Sequence, residues 1–448
     1  MTGEGSLGEG TLGKRPEGVV PLTMGGDQRP GQPALRWTSR ARTIDGIERE
    51  LAKIWAAPAF MGSVDGHQQR RIAARTSVMN LVVIARQPEL AEHCAAIIGQ
   101  LTGRHPSRTL ICSPTDPDGP GWLDARITAH CMLPRPDAPE TCAEMIFVTA
   151  GGDTGRHIDA IVEPLLIHDL PVTVWWPGEP PLDSQQAADL LDSTDRLVVD
   201  GSAWSGDGLG RLRELARIVD SGRVVAFDIA LARQSRWREA IASTFDQPDF
   251  LPYLRSIRRV AVTYATHDEL GRPGGTNLVK PLYHVAWLAS RLGMTVLRPL
   301  GSLGAGTAPT RSAAVAAAAA RHSGATPVAG RGYAASLRLG TGEVAVVMRP
   351  VLSGMPSGTT LRVELLAERR GSELRVDVSA EAETVGVRAW QDGVELLDRR
   401  FTAARRTEVD LLAEVIEAPG RDPVSDGSIQ MAANLVASAD AGPGGSGT

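Results

Sequence analysis

An α/β fold class follows from three features of the sequence. Short β-type runs alternate with helix-period segments from Asn80 to Asp200, and five strand-like runs succeed one another between residues 334 and 390. An apolar run, LPVTVWWPGEPP (170–181), ends in paired tryptophans and a proline-rich stop. Together they predict an N-terminal α/β domain with a mostly parallel sheet, followed by an α+β domain with an antiparallel meander.

The elements follow in order. Residues 1–38 are rich in Gly, Pro, Thr and Glu without periodicity and are expected to form a disordered arm. A helical lead-in is expected over 39–70, and the α/β domain over 71–222. It starts with NLVVIA (80–85), then a helix carrying Leu90, Cys94, Ile97, Ile98 and Leu101 on one face, opened by Pro88 and closed by Gly103. RTLIC (108–112), RITAHCML (126–133) and MIFVTA (145–150) read as strands. A second helix sets Ile158, Ile161, Val162, Leu165 and Leu166 on one stripe, with Asp153 or Thr154 as its cap. VTVWWP and RLVVD complete the set, with room for an antiparallel portion.

The α+β domain is expected over 223–435. VVAFDIA (224–230) and RRVAVTYA (258–265) flank a helix from Ser235 to Phe245, and a longer helix from Thr276 to Leu292 ends at Gly293. The stretch 300–332 contains GSLGAGTAPT and an alanine run with no large side chains to bury, and reads as an insertion or linker. After the meander, a last helix spans Thr407–Glu417, and 436–448 is a second disordered tail.

At 448 residues the chain is long enough for two or three domains, and its 42% hydrophobic and 22% charged residues are ordinary for a soluble protein. A formal net charge of −5 gives no general attraction to nucleic acid or anionic membrane. With no apolar run of about 20 residues and no secretory signal in the first 36, the expected location is cytoplasmic and no membrane partner is expected.

Catalytic signatures are missing. There is no GxxxxGK[ST], no GxGxxG after a strand, no HExxH and no GxSxG. Asp116, Asp118 and Gly119 resemble a calcium loop only superficially, because prolines intervene and the closing Glu is missing. No metal, cofactor or catalytic set is expected. His105, Ser107 and Arg108 could cradle a phosphate or carboxylate, or form a helix-stop turn in which Arg108 pairs with a carboxylate. Cys94, Cys112, Cys131 and Cys142 form no CxxC and pair with no His at zinc spacing. They read as small buried hydrophobes or as containing a redox-responsive pair, and sequence does not choose which two.

Two aromatic clusters are candidate partner-binding anchors: Trp175, Trp176 and Pro177 at a strand exit, and Arg233, Trp237 and Arg238 around the start of the next domain's first helix. Trp and Arg are the residues most enriched at interface hot spots. The plainer alternative makes Trp237 the apolar anchor of its own helix with Ile241 and Phe245. Adjacent strand residues face opposite ways, so Trp175 and Trp176 cannot share one core. A rigid aromatic surface at the mouth of a sheet is the expectation.

RTSVMNLVV (75–83), HPSR (105–108), the run from Ile161 through LPVTVWWPGEPP, DRLVVD (195–200), RWREAIASTFD (236–246) and RDPV (421–424) resemble, in order and spacing, the glucose-6-phosphate dehydrogenase assembly proteins (OpcA). The resemblance covers roughly Arg70 to Leu435, and the alanine-rich stretch and Gly-rich arm depart from it. It implies a non-catalytic protein of the oxidative pentose phosphate pathway. Such a protein binds glucose-6-phosphate dehydrogenase, favours its active oligomer and raises its activity, and some members are redox-sensitive. The rival expectations are a sugar-phosphate enzyme using His105, Ser107 and Arg108, and a cysteine-based redox sensor.

Overall fold

The computed structural model describes residues 33–56, 74–75, 77–132, 141–270, 274–303, 326–327, 332–381 and 383–436. The first sheet comprises β1 (Pro33–Ala41), β2 (Ala74–Arg75), β3 (Met79–Ile84), β4 (Ser107–Pro114), β5 (Trp122–Met132), β6 (Thr141–Gly151), β7 (Val172–Trp176), β8 (Arg196–Val199) and β9 (Val225–Asp228). Its order is β1-β5-β6-β4-β3-β7-β8-β9, with β2 beside β6. From β6 to β9 every neighbour is parallel. Counting these six strands along the chain gives the order 3-2-1-4-5-6 of a doubly wound dinucleotide fold. Between the second and third, the usual crossover helix is replaced by β5, which pairs antiparallel with β6 and β1.

Helices cover both faces. They are α1 (Ile44–Ala56), α2 (Pro88–Leu101), α3 (Gly152–Arg156), α4 (Ile158–Leu165), α5 (Gln185–Asp192), α6 (Leu209–Ser221), α7 (Ile229–Ala232), α8 (Ser235–Phe245), α9 (Val279–Leu292), α10 (Glu408–Glu417) and α11 (Pro423–Leu435). One face packs Val82, Ile84, Leu110, Val174 and Leu197 with side chains of α1, α4, α5 and α6. The other packs Leu81, Val83, Ile111 and Val198 with α2 and α10. Strands buried on both sides read as continuous apolar runs, which is why NLVVI and VTVWW lack alternation.

The second sheet comprises β10 (Ile257–Thr266), β11 (Thr295–Leu303), β12 (Thr326–Pro327), β13 (Gly332–Leu339), β14 (Gly342–Leu352), β15 (Thr360–Arg369), β16 (Ser372–Glu381), β17 (Thr384–Gln391) and β18 (Val394–Thr402). Its order is β11-β13-β14-β10-β15-β16-β17-β18, with β12 beside β14. Only β10–β14 is parallel among its pairs. Val260, Val262, Val346, Val363, Leu365, Val376 and Val387 line the face that packs on the shared core with α8 and α9.

Several expectations need correction. The arm read as disordered to residue 38 contains β1: Trp37 is buried, and its strand pairs with β5 from Pro33 to Ala41. The boundary at 222/223 cuts off β9, which pairs with β8 and completes the first sheet. Asp153 and Thr154 do not cap the helix at Ile158, since α3 intervenes and His157 precedes α4 without a side-chain cap bond. The segment from Pro299 to Leu303 is strand, paired with β13; the alanine run and the tail from 437 lie outside the described residues. β18 and α11 went unanticipated. α11 is announced by RDPV: Pro423 occupies the first turn, and Asp422 accepts hydrogen bonds from the Val424 and Ser425 amides at 3.0 and 3.2 Å.

α10 and α11 return to the first domain. Thr407 and Asp410 form a capping box at the start of α10. At its end the Arg196 guanidinium of β8 donates to the carbonyls of Val415, Ile416 (2.8 Å) and Ala418 (2.8 Å), satisfying acceptors the helix leaves open. α11 packs between α6 and α9.

Candidate functional site

In this strand order, ligands dock outside the carboxyl ends of β3 and β7, where the order reverses. Here β3 runs into α2 through Ala85, Arg86, Gln87 and Pro88, with no glycine. A dinucleotide site uses glycines there to bring backbone N–H groups to a pyrophosphate, and Pro88 at the first helical turn has no N–H to offer. On the other side of the switch point, a β-carbon at Gly178 would stand 3.8 Å from the Leu90 side chain, so the exit of β7 lies against α2.

The expected aromatic surface is absent from this edge. Trp175 and Trp176 are 3% and 4% exposed, and Pro177 is half-buried. Their opposite orientation holds, but both directions lead into cores: Trp175 packs in the cluster with α2 and α10, Trp176 in the cluster with Leu182 and Trp204. The physical reason is the double covering of a parallel strand.

Beside the switch point, the carboxyl ends of β8 and β9 hold an acidic pair, Asp200 and Asp228. Asp228 is sealed. Its Oδ1 accepts from the Gly201 and Ala230 amides, both at 2.8 Å, and its Oδ2 accepts from the Tyr283 hydroxyl of α9 at 2.7 Å. Burial and neighbouring Asp200 push its carboxyl up to about 7, against those three donors. Asp200 pairs with Arg233 at 2.6 Å; Arg233 reaches Glu408 of α10 at 3.4 Å, and Glu408 meets His93 of α2 at 2.6 Å. Lys280 lies near Asp200, Arg233 and Arg405, its charge disfavoured by burial. The network ties the first sheet, α9 and α10 together. The acid and phenol are held against each other by protein donors, which suits a latch between domains better than proton transfer to a substrate.

The remaining partner-binding candidates also turn inward. Arg233 serves the network just described. Trp237 is half-buried, its ring 5.1 Å from that of His284. Ile241 and Phe245 of the same helix are buried, as the plainer alternative had it. His284 is buried with neither ring nitrogen partnered, and burial together with Arg238 pushes its pKa down to about 3. Arg238 is half-buried near Asp422 and Glu414, with burial opposing its charge.

His105, Ser107 and Arg108 do not converge on a vacant cradle. His105 Nε2 meets Glu417 at 2.8 Å, and Ser107 is buried with its hydroxyl 2.9 Å from that of Thr109. Arg108 donates to buried Glu144 at 2.7 Å and to the Leu165 carbonyl at 2.9 Å, while the Trp55 indole donates to the same carboxylate. Each side chain is committed to a different partner, which corrects the anion-site expectation.

Cys131 and Cys142 stand opposite each other on β5 and β6 and form a disulfide. Cys94 and Cys112 are free, and burial pushes both thiols up to about 12. They belong to cores on opposite faces of the sheet. Among the described residues no group of three or more His, Cys, Asp or Glu could hold a metal, and no helix is long and apolar enough to cross a membrane.

The second sheet offers a different surface. Its register sets Arg362 opposite Thr263, Glu364 opposite Ala261 and Asp377, Arg375 opposite Trp390, Arg388 opposite Asp398, and Ala345 opposite Arg259 and Ser336. These residues alternate with the core-facing valines and leucines and so share the far face. They pair within its plane. Arg362 binds Asp377 and lies 3.4 Å from Glu364, Arg259 lies 3.7 Å from Glu364, Arg388 lies 3.4 Å from Asp398, and the Arg375 guanidinium sits 4.2 Å over the Trp390 ring. Sequence reading used the meander's buried half and overlooked this one, although the alternation in LRVDVSAE carries it. It also missed Asp200 and Asp228, whose signal is an apolar strand ending in Asp, in RLVVD and VVAFD.

Residues 98–217 match the family described as the glucose-6-phosphate dehydrogenase subunit N-terminal domain, and residues 225–427 its C-terminal domain. A Synechococcus elongatus protein that carries the provisional name OxPP cycle protein OpcA is 26% identical over 200 residues. That match spans 44% of this chain and 42% of the relative, less than half of its length. Among solved structures, an NAD binding oxidoreductase from Klebsiella pneumoniae aligns with a TM-score of 0.42 at 11% identity, over 81% of this chain and 97% of its own. The transcriptional regulator Gal80p from Kluyveromyces lactis aligns with a TM-score of 0.41 at 10% identity, over 80% and 91%.

Proposed function

The chain belongs to the glucose-6-phosphate dehydrogenase assembly (OpcA) family, and from that membership we propose that it is a non-catalytic partner of glucose-6-phosphate dehydrogenase. In this reading it binds the assembled enzyme and stabilises its active oligomer. The observation that supports it is the state of the switch-point crevice. Where a doubly wound sheet would hold a nucleotide, Arg86-Gln87-Pro88 replaces the glycine turn, and Trp175 fills the space beneath α2 and α10. A sheet laid out for ligand chemistry but packed like a core suits a protein that acts by contact.

A partner that binds only the assembled enzyme shifts its population toward that state. A differential affinity of about 1–3 kcal/mol changes apparent substrate affinity roughly 5- to 150-fold. The test is the dehydrogenase's glucose 6-phosphate saturation curve with and without an excess of this chain. Lower half-saturation or a higher maximal rate, with the chain inactive alone, is the expected outcome. An unchanged curve together with no co-elution rejects the reading.

The cross-strand disulfide favours one addition, redox control of that partnership. In a reducing cytoplasm a disulfide is ordinarily transient and sensing. Activation measured with oxidised and with reduced chain should then differ, and equal activation removes the addition.

A further inference from the structure

The far face of the second sheet is uncovered by any described helix, because α8 and α9 both pack on the opposite side with Val260, Val363, Val376 and Val387. We infer that this face is the surface through which two copies of the chain associate, sheet against sheet. Three observations on the face point to a second copy.

The first is extent. Eight strands at ~4.8 Å spacing and about eight residues long present a face on the order of 900 Å², close to the ≈800 Å² per partner of a standard interface. The second is charge. A face of one sign would repel its own copy, whereas here Arg259, Arg362, Arg375 and Arg388 interleave with Glu364, Asp377 and Asp398 at strand spacing. Such a pattern is complementary to itself, as a two-fold interface requires. The third is readiness for desolvation. The charges are already paired in the plane, so covering them strands few ions. Ala261, Ala334, Ala345 and Val347 leave a low strip across β10, β14 and β13, bordered by Arg259, Arg338 and Arg349, where another sheet can approach.

The experiment is light scattering of the full chain over a concentration series, for the wild type and for the double variant A345E/V347E. Both positions are at least partly exposed, so the charges are tolerated in the single copy. V78E, at an exposed position of the first domain, is the control. The wild type and V78E are expected to rise from 47.5 kDa toward twice that mass with concentration, and A345E/V347E to remain at 47.5 kDa with an unchanged melting temperature at low concentration. A wild type that stays at the single-copy mass throughout overturns the inference. A double variant that associates as the wild type does also overturns it. If the wild type is a monomer and A345E/V347E loses only the dehydrogenase, the face belongs to that partner and the second copy is rejected. The outcome is independent of whether the chain activates the dehydrogenase.

Discussion

β3 and β7 of the first sheet are buried at every position, whereas β16 of the second alternates between buried and half-exposed residues along most of its length. The same chain thus contains one sheet consumed on both faces by its own helices and another consumed on one. The first has the strand order of a ligand-binding fold and no room left at its switch point. The second has the plain architecture of a support and a whole face to spare. Conspicuous residues therefore mislead about surface: paired tryptophans are core, and ordinary arginines and carboxylates in a meander make the face that no described helix covers.

The largest expected effect sharpens this contrast with one chemistry in two settings. Arg108→Met removes the cation from Glu144 in the covered sheet, where the carboxylate is fully buried, and should cost about 3–5 kcal/mol. Arg362→Met removes the partner of Asp377 and one of two arginines beside Glu364; Arg259 remains near Glu364 and Asp377 keeps partial exposure, so the cost should be smaller, about 1–3 kcal/mol. Urea unfolding of dilute protein measures both. Equal costs would break the comparison, since they would mean the second face is as dry as the first.

A smaller effect belongs to the antiparallel flank of the covered sheet. Cys131 and Cys142 close a loop with a sequence separation of 11, so reduction should lower stability by about 2–3 kcal/mol. Urea midpoints with and without reductant report it. In the native protein Cys94 and Cys112 should resist alkylation, because burial keeps them as thiols.

The last effect is set by pH and lies where the two sheets meet. Asp228 keeps its proton in the folded protein up to about 7, while an unfolded chain releases it near 3.8. The folded state therefore binds more protons between those values. Its contribution to stability is full below about pH 4 and declines as pH rises toward 7. Asp228→Asn keeps an acceptor for the Gly201 and Ala230 amides and removes the titration. Its stability relative to wild type should rise between pH 4 and 7 and then level off. A pH-independent difference would show that Asp228 is ionised throughout and that the junction is wetter than its packing implies.

What was legible in the sequence was what local pattern determines. Apolar runs located β3, β4, β6, β7 and β8, and Ser235–Phe245 was read to the residue, because periodicity and flanking stops are encoded in consecutive residues. Placement was less accessible. VVAFD gives no sign that it pairs with β8 rather than with the following strands, and Trp37 lay in a segment whose composition argued for disorder. The family resemblance rests on HPSR and WWPG, while the contacts of those residues turn on partners far away in sequence: Glu417 for His105, Glu144 for Arg108, the cluster with α10 for Trp175. Such contacts leave no trace in spacing.

The return of α10 to the first sheet has a bearing on biosynthesis. The face formed by Leu81, Val83, Ile111, Trp175 and Val198 is finished by Leu411, Leu412 and Val415. A ribosome that has released the entire first sheet has still not made the residues that seal it. Until some two hundred further residues emerge, Trp175 and its neighbours have only α2 over them, and at ~5–20 residues per second that interval lasts on the order of ten seconds or more. The first domain therefore cannot complete its core until the chain is nearly finished, and a nascent chain would be expected to depend on chaperones for as long as that face stays half-covered.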